Sequence, residues 1–151
     1  MPSFRTVRRV RHTAAQMLEL VADVERYPEF VPLCQALRVR RRSEGADGQE
    51  VLIADMEVGY KAIHEKFTSR VTLDRRANKV LVEYVDGPFR HLENTWNFID
   101  EEAGSSRIEF FISYELRSRL LGALMGSMFD TAFRRFAQAF EARADVVYGK
   151  G

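Results

Sequence analysis

The hydrophobic period of this chain changes from strand-like to helical near residue 117, and that change constrains the fold more than any motif. Between Ala36 and Leu116 apolar and polar residues alternate, the period-two pattern of strands with one buried face. From Arg119 to Val147 the spacing is helical, and Leu121, Met125, Phe129, Phe133, Phe136, Phe140 and Ala144 make a continuous apolar stripe. Such a helix owes its stability to the face it packs on, and the alternating region is the one partner large enough. The chain is therefore expected to be α+β, a curved antiparallel sheet wrapped around a long C-terminal helix.

Turn signals at Gly45 to Gly48, Arg75 to Asn78, Gly87-Pro88 and Ala103 to Ser106 cut the alternating region into strands. These are expected at Leu37 to Ser43, Gln49 to Val58, Ala62 to Asp74, Lys79 to Asp86, Leu92 to Asp100 and Arg107 to Leu116. Phe4 to Arg11, with Val7 and Val10 among arginines, reads as an edge strand, bringing the sheet to about seven strands. Thr13 and Gln16 form a capping-box pattern that starts a helix at Ala14, with Met17, Leu18, Val21 and Val24 inward. Pro28 bars helix beyond Tyr27, and a second short turn is expected around Glu29 to Val31. Both helices then lie on the concave face, and residues 1–151 are read as one domain.

Composition narrows the function classes. Hydrophobic residues at 46% and charged residues at 30% exclude intrinsic disorder, and a net charge of +1 gives no long-range pull toward nucleic acid. One cysteine, Cys34, and three scattered histidines, His12, His64 and His91, fit neither a disulfide nor a metal site. No apolar run approaches a membrane span, and the arginine-rich start, although presequence-like, runs on into a readable strand and helix. A cytoplasmic protein, with room for peripheral contact at the inner face of the membrane, is expected. Catalysis has little support: Cys34 has no evident base, His64-Glu65 lacks the second histidine of a zinc-protease helix, and Glu101-Glu102 sits at a turn.

Four phrases in order along the chain resemble the coenzyme Q-binding proteins of the START-like, polyketide-cyclase superfamily. They are Tyr27-Pro28-Glu29-Phe30-Val31-Pro32, Val85-Asp86-Gly87-Pro88-Phe89, Leu92 to Phe98, and Phe140 to Gly149. One departure is Leu33, where many relatives carry tryptophan before the cysteine at the position of Cys34. The resemblance implies a helix-grip fold with a hydrophobic tunnel between sheet and C-terminal helix, and ubiquinone as bound ligand with no covalent cofactor. It also implies partners among respiratory or quinone-biosynthesis proteins. Bacterial relatives include a ribosome association toxin, which makes ribosome binding the alternative, and a cyclase or aromatase-like enzyme follows from superfamily analogy alone.

On the strand faces, Ile63, Phe67, Val71 and Leu73 share a side with Glu65 and Ser69, and Leu92, Asn94, Trp96 and Phe98 form another. Ile108, Phe110, Ile112 and Tyr114 form a third. The expected ligand site is Phe67, Asn94, Trp96, Phe98, Phe110, Ile112 and Tyr114 with Met125, Phe129 and Phe133 of the helix, and Glu65 either at the ligand or paired internally. Asn94, Tyr114 and Glu65, in that order, are the candidates for orienting a polar head, and Trp96 is expected to touch the quinone. Taken singly, each of these residues is better read as packing against the helix, and only their sum points to a pocket. Gly122, Gly126, Met125 and Met128 suit an adaptable lid or, equally, close helix-to-sheet approach. Arg38, Arg40, Arg41 and Arg42, with Arg5, Arg8 and Arg9 as expected sheet neighbours, form the one surface suited to RNA or anionic lipid, although arginines are also common on solvated strand edges.

Overall fold

The computed structural model describes residues 3–60 and 63–150, with the side chains of Tyr60 and Met125 and the surroundings of Gly126 outside the description. Strand β1 (Ser3–Val10) leads into helix α1 (Ala14–Ala22) and a 3-10 turn (Val24–Glu29). Six strands follow: β2 (Cys34–Glu44), β3 (Glu50–Tyr60), β4 (Ile63–Asp74), β5 (Lys79–Asp86), β6 (Phe89–Asp100) and β7 (Ser106–Leu116). Helix α2 (Arg119–Tyr148) ends the fold. The seven strands form one antiparallel sheet in the order β1-β7-β6-β5-β4-β3-β2, a meander whose last strand takes the first as its outer neighbour. Register shifts leave Arg40 of β2 and Val85 of β5 without a partner in the ladder, the two-against-one pattern of a bulge, which adds twist.

The start of α1 follows the sequence. Thr13 Oγ1 accepts from the Gln16 amide at 3.1 Å, and Gln16 Oε1 accepts from the Thr13 amide at 2.9 Å. The end does not, because Asp23 leaves helical space (φ −82°, ψ 64°) well before Pro28. The tighter 3-10 turn absorbs Pro28 and closes at Glu29, so the short turn lies upstream of the expected Glu29 to Val31. The Tyr27 hydroxyl draws this segment back onto α1 by donating to the Val21 carbonyl at 2.5 Å. Strand limits differ from expectation by a few residues, most at β2 and β6, which begin at Cys34 and Phe89. The expected start of the fourth strand, Ala62, lies outside the described residues.

Alternation on β4, β6 and β7 and the stripe of α2 meet in one core, where Leu73, Phe98, Ile108, Phe110 and Phe140 are almost fully buried. Ser118 caps α2 by accepting from the Leu121 amide at 3.1 Å. The far end of α2 is tied to the start of the chain: Arg8 pairs with Glu141 at 2.6 Å, and the buried His12 ring meets Asp145 at 2.7 Å.

The arginines separate. β1 and β2 are opposite edges of the sheet, so Arg5, Arg8 and Arg9 are not neighbours of Arg38 to Arg42, a correction to the expected patch. Alternation alone carries no information about which strand pairs with β1. Arg40 is held by Asp55 at 3.1 Å, and Arg42 by Glu25 at 2.7 Å, leaving Arg38 and Arg41 without an ion pair among the described residues.

Gly122 stands in open space, with nothing within 4 Å of the position a Cβ would take. Close approach to the sheet is therefore not its reason. Gly122→Ala is expected to raise stability by about 1 kcal/mol, read as a rise in Tm of roughly 2–4 °C. An unchanged or lower Tm would mean the helix start gains nothing from stiffening.

Candidate functional site: an apolar cavity under the long helix

Between the concave sheet and α2 lies a cavity of about 110 Å³. Its sheet wall comes from β2 to β7, and includes Met56, Phe67, Val71, Phe89, Trp96 and Ile112. Its helix wall is Phe129, Ala132, Phe133, Phe136 and Phe140. The third wall is the segment after α1, through Val24, Tyr27, Val31, Pro32 and Leu33. Apolar alternation on the strands and the i, i+4 spacing of α2 put the rings inward.

Of the residues expected at a ligand, Phe67, Asn94, Trp96, Ile112, Phe129 and Phe133 line this cavity together. Phe98 and Phe110 lie beside the cavity on the same sheet face and outside its lining: Phe98 stacks on Trp96 at 6.0 Å, and Phe110 meets its edge at 4.7 Å. Tyr114 is buried against Phe129 at 5.7 Å and Phe133 at 5.3 Å, outside the lining, and its burial raises its pKa. Glu65 is half-buried opposite Val58, off the wall, and has no ion pair among the described residues. The Met125 side chain lies outside the described residues.

The polar groups inside are few. Asn94 is largely spent on structure: its Oδ1 accepts from Trp96 Nε1 at 2.9 Å, and its Nδ2 donates to the Phe111 carbonyl at 2.8 Å. That pair fixes the indole plane, which an apolar wall alone would leave loose. Ser69, buried on the same face as Phe67 and Val71, also lines the cavity, as does Tyr27, whose hydroxyl is spent on the Val21 carbonyl. Burial pushes the Cys34 thiol up to about 11, so at neutral pH it stays protonated and a poor nucleophile. No cluster of three or more metal-ligating side chains occurs among the described residues.

Sequence reasoning missed the third wall. Tyr27, Val31, Pro32 and Leu33 follow no period, and their inward position depends on the 3-10 turn and on Tyr27 reaching back to Val21. Leu33 has φ 67°, a left-handed conformation uncommon for a bulky residue, and its carbonyl accepts from the Gly59 amide at 3.0 Å. Outside this point lies an open groove of about 440 Å³, which shares Pro32, Leu33 and Ala132 with the cavity. No helix among the described residues is long and apolar enough to cross a membrane.

Comparison with known proteins agrees with this architecture. The family model for polyketide cyclase / dehydrase and lipid transport matches residues 10–141. The chain is 32% identical over 150 residues to the ribosome association toxin RatA of Rickettsia prowazekii, covering 97% of this chain and 99% of that one. It is 32% identical over 139 residues to the mitochondrial coenzyme Q-binding protein COQ10 homolog B of Xenopus laevis, covering 89% of this chain and 54% of that longer protein. The solution structure of the 18 kDa protein CC1736 from Caulobacter crescentus superposes with a TM-score of 0.78 at 35% identity, over 99% of both chains. On the match over most of its length, the chain belongs to the START-like family of polyketide cyclases, dehydrases and lipid transport proteins.

Proposed function

We propose that this protein binds a polyprenylated quinone, ubiquinone, in the cavity between sheet and α2, and carries or chaperones it for respiratory or biosynthetic enzymes. The observation that supports this reading is the apolar cavity itself, walled by Phe67, Trp96, Phe129 and Phe133 and nearly free of unspent polar groups. Similarity to a coenzyme Q-binding protein supplies the ligand class. Each methylene removed from water contributes about 0.8 kcal/mol, so one isoprene unit supplies a few kcal/mol before ordering costs. Binding rather than turnover suits a site whose lining is almost wholly apolar and whose amide is committed to holding an indole.

Organic extraction of the purified protein followed by mass spectrometry is expected to release a quinone. Release of no quinone, together with failure of the delipidated protein to take up ubiquinone, would overturn the reading. A second reading, binding to ribosomal subunits, is favoured by the similarity to RatA along nearly the whole chain, with Arg38 and Arg41 on the β2 edge as cations that have no ion pair among the described residues. Co-sedimentation with subunits that weakens steeply with salt would support it, because phosphate contacts release counterions whereas burial of a neutral quinone does not.

A further inference from the structure

Resting on the ligand reading above, we propose an orientation and a second half-site. The apolar chain of the ligand fills the inner cavity, while its hydrogen-bond-accepting head stays outside the mouth at Pro32 and Leu33, in the groove lined by Ser127, Thr131 and Arg135.

Size is the first reason. An apolar cavity of about 150 Å³ holds one benzene, so about 110 Å³ admits the slender end of a chain and not a substituted quinone ring. Chemistry is the second. None of the three residues read from the sequence as head-orienting groups is free to do it there: Asn94 is bonded to Trp96 and Phe111, and Tyr114 and Glu65 are not in the lining. A head drawn fully inside would strip its carbonyls of water with only the Ser69 hydroxyl, among the described lining residues, left to donate to them.

The groove offers what the cavity lacks. Ser127, Thr131 and Arg135 follow one another at i, i+4 and i+8 along α2, presenting hydroxyls and a guanidinium on one face. Arg135 has no carboxylate partner among the described residues, whereas its neighbour Arg134 is held by Asp130 at 3.1 Å. Met128 and Ala132 alternate with these polar groups and lead inward. Pro32, Leu33 and Ala132 border both spaces, so the two are adjacent and only these side chains stand between them. The left-handed Leu33, anchored through its carbonyl to Gly59, stands where chain gives way to head.

Trp96, the single tryptophan, lines the inner cavity and reports which end of a ligand arrives there. The probes are two dodecanoates, an acyl chain with an accepting head, one brominated at the terminal carbon and one beside the carboxylate. Bromine quenches indole emission only at contact. The terminally brominated acid is expected to quench Trp96 saturably, and its isomer to bind without quenching. Arg135→Ala, on an exposed helix face and neutral to the fold, is expected to weaken dodecanoate by about threefold to tenfold and dodecan-1-ol less, since the alcohol carries no charge.

Stronger quenching by the isomer brominated beside the head would overturn the orientation, as would quenching by neither acid. Unchanged dodecanoate affinity in Arg135→Ala would overturn the head site. The quinone reading is decided separately: an extract containing quinone with no quenching by either acid removes only this placement, and a quinone-free extract with terminal-bromine quenching removes only the quinone.

Discussion

Gly87→Ala is expected to destabilise the fold by roughly 2–5 kcal/mol, from the strain of a conformation reserved for glycine and the cost of overpacking. Gly87 has φ 143°, and a Cβ there would stand 2.5 Å from Phe67 Cβ and 2.9 Å from Phe67 Cα. The second atom is backbone in the middle of β4, so no rotamer change relieves it. The turn between β5 and β6 is also where the Pro88 carbonyl accepts from the Arg117 amide at 2.9 Å and the Phe89 carbonyl accepts from the Arg117 guanidinium at 3.0 Å, so displacement there loosens the link into α2. Gly104→Ala is the matched comparison: φ is 77°, but nothing lies within 4 Å. It should cost only about 1–2 kcal/mol of backbone strain. Urea unfolding midpoints of the two variants test this, and equal losses would show that crowding against Phe67 is not the main source of the destabilisation.

Phe140→Ala is expected to cost about 3–5 kcal/mol, the range for emptying a well-packed aromatic site. The ring is 1% exposed and is met edge-on by Tyr27 at 5.3 Å, Phe30 at 5.0 Å and Trp96 at 5.0 Å. It is the point where α2, the segment after α1 and the sheet converge. Against a typical domain stability of about 5–15 kcal/mol, the loss is a large fraction, seen as a fall in Tm of roughly 6–20 °C. Phe140→Leu should recover more than half of it, since most of the volume returns. A loss below about 1 kcal/mol would mean the neighbouring rings close over the vacancy.

The fold is readable because two periods, 2.0 and 3.6, are each sustained over many residues, and each allows one layer. Pairing is less so: nothing in Ser3 to Val10 says that β1 joins β7 rather than β2, and the arginine patch drawn across those strands dissolves with the true order. At the cavity, strand-borne residues such as Phe67, Trp96 and Ile112 are legible because facing follows from alternation. Phe98 and Phe110 obey the same alternation on the same face yet fall outside the lining, because alternation fixes which way a side chain faces and not where along the face the cavity ends. Asn94 is legible too, but its commitment to Trp96 and Phe111 is a matter of angles that sequence does not carry. Leu33 is visible only as a departure from relatives, and nothing in the residues around it signals the left-handed backbone it adopts between cavity and groove.

The seam between β1 and β7, with Arg8 on Glu141, also dictates when the molecule can be finished during synthesis. The first strand must wait for a partner strand that follows every other strand in the chain, and the Arg8–Glu141 pair spans 133 positions. Until Glu141 and Asp145 have left the ribosomal tunnel, α2 lacks its fastening, and the Phe-rich concave wall faces water. Loop closure over so long a separation is slow and exposes apolar surface meanwhile. The nascent chain therefore stays an unclosed meander until α2 has emerged, and a chain broken off before residue 119 retains every residue of the sheet yet lacks the helix that shields its apolar face.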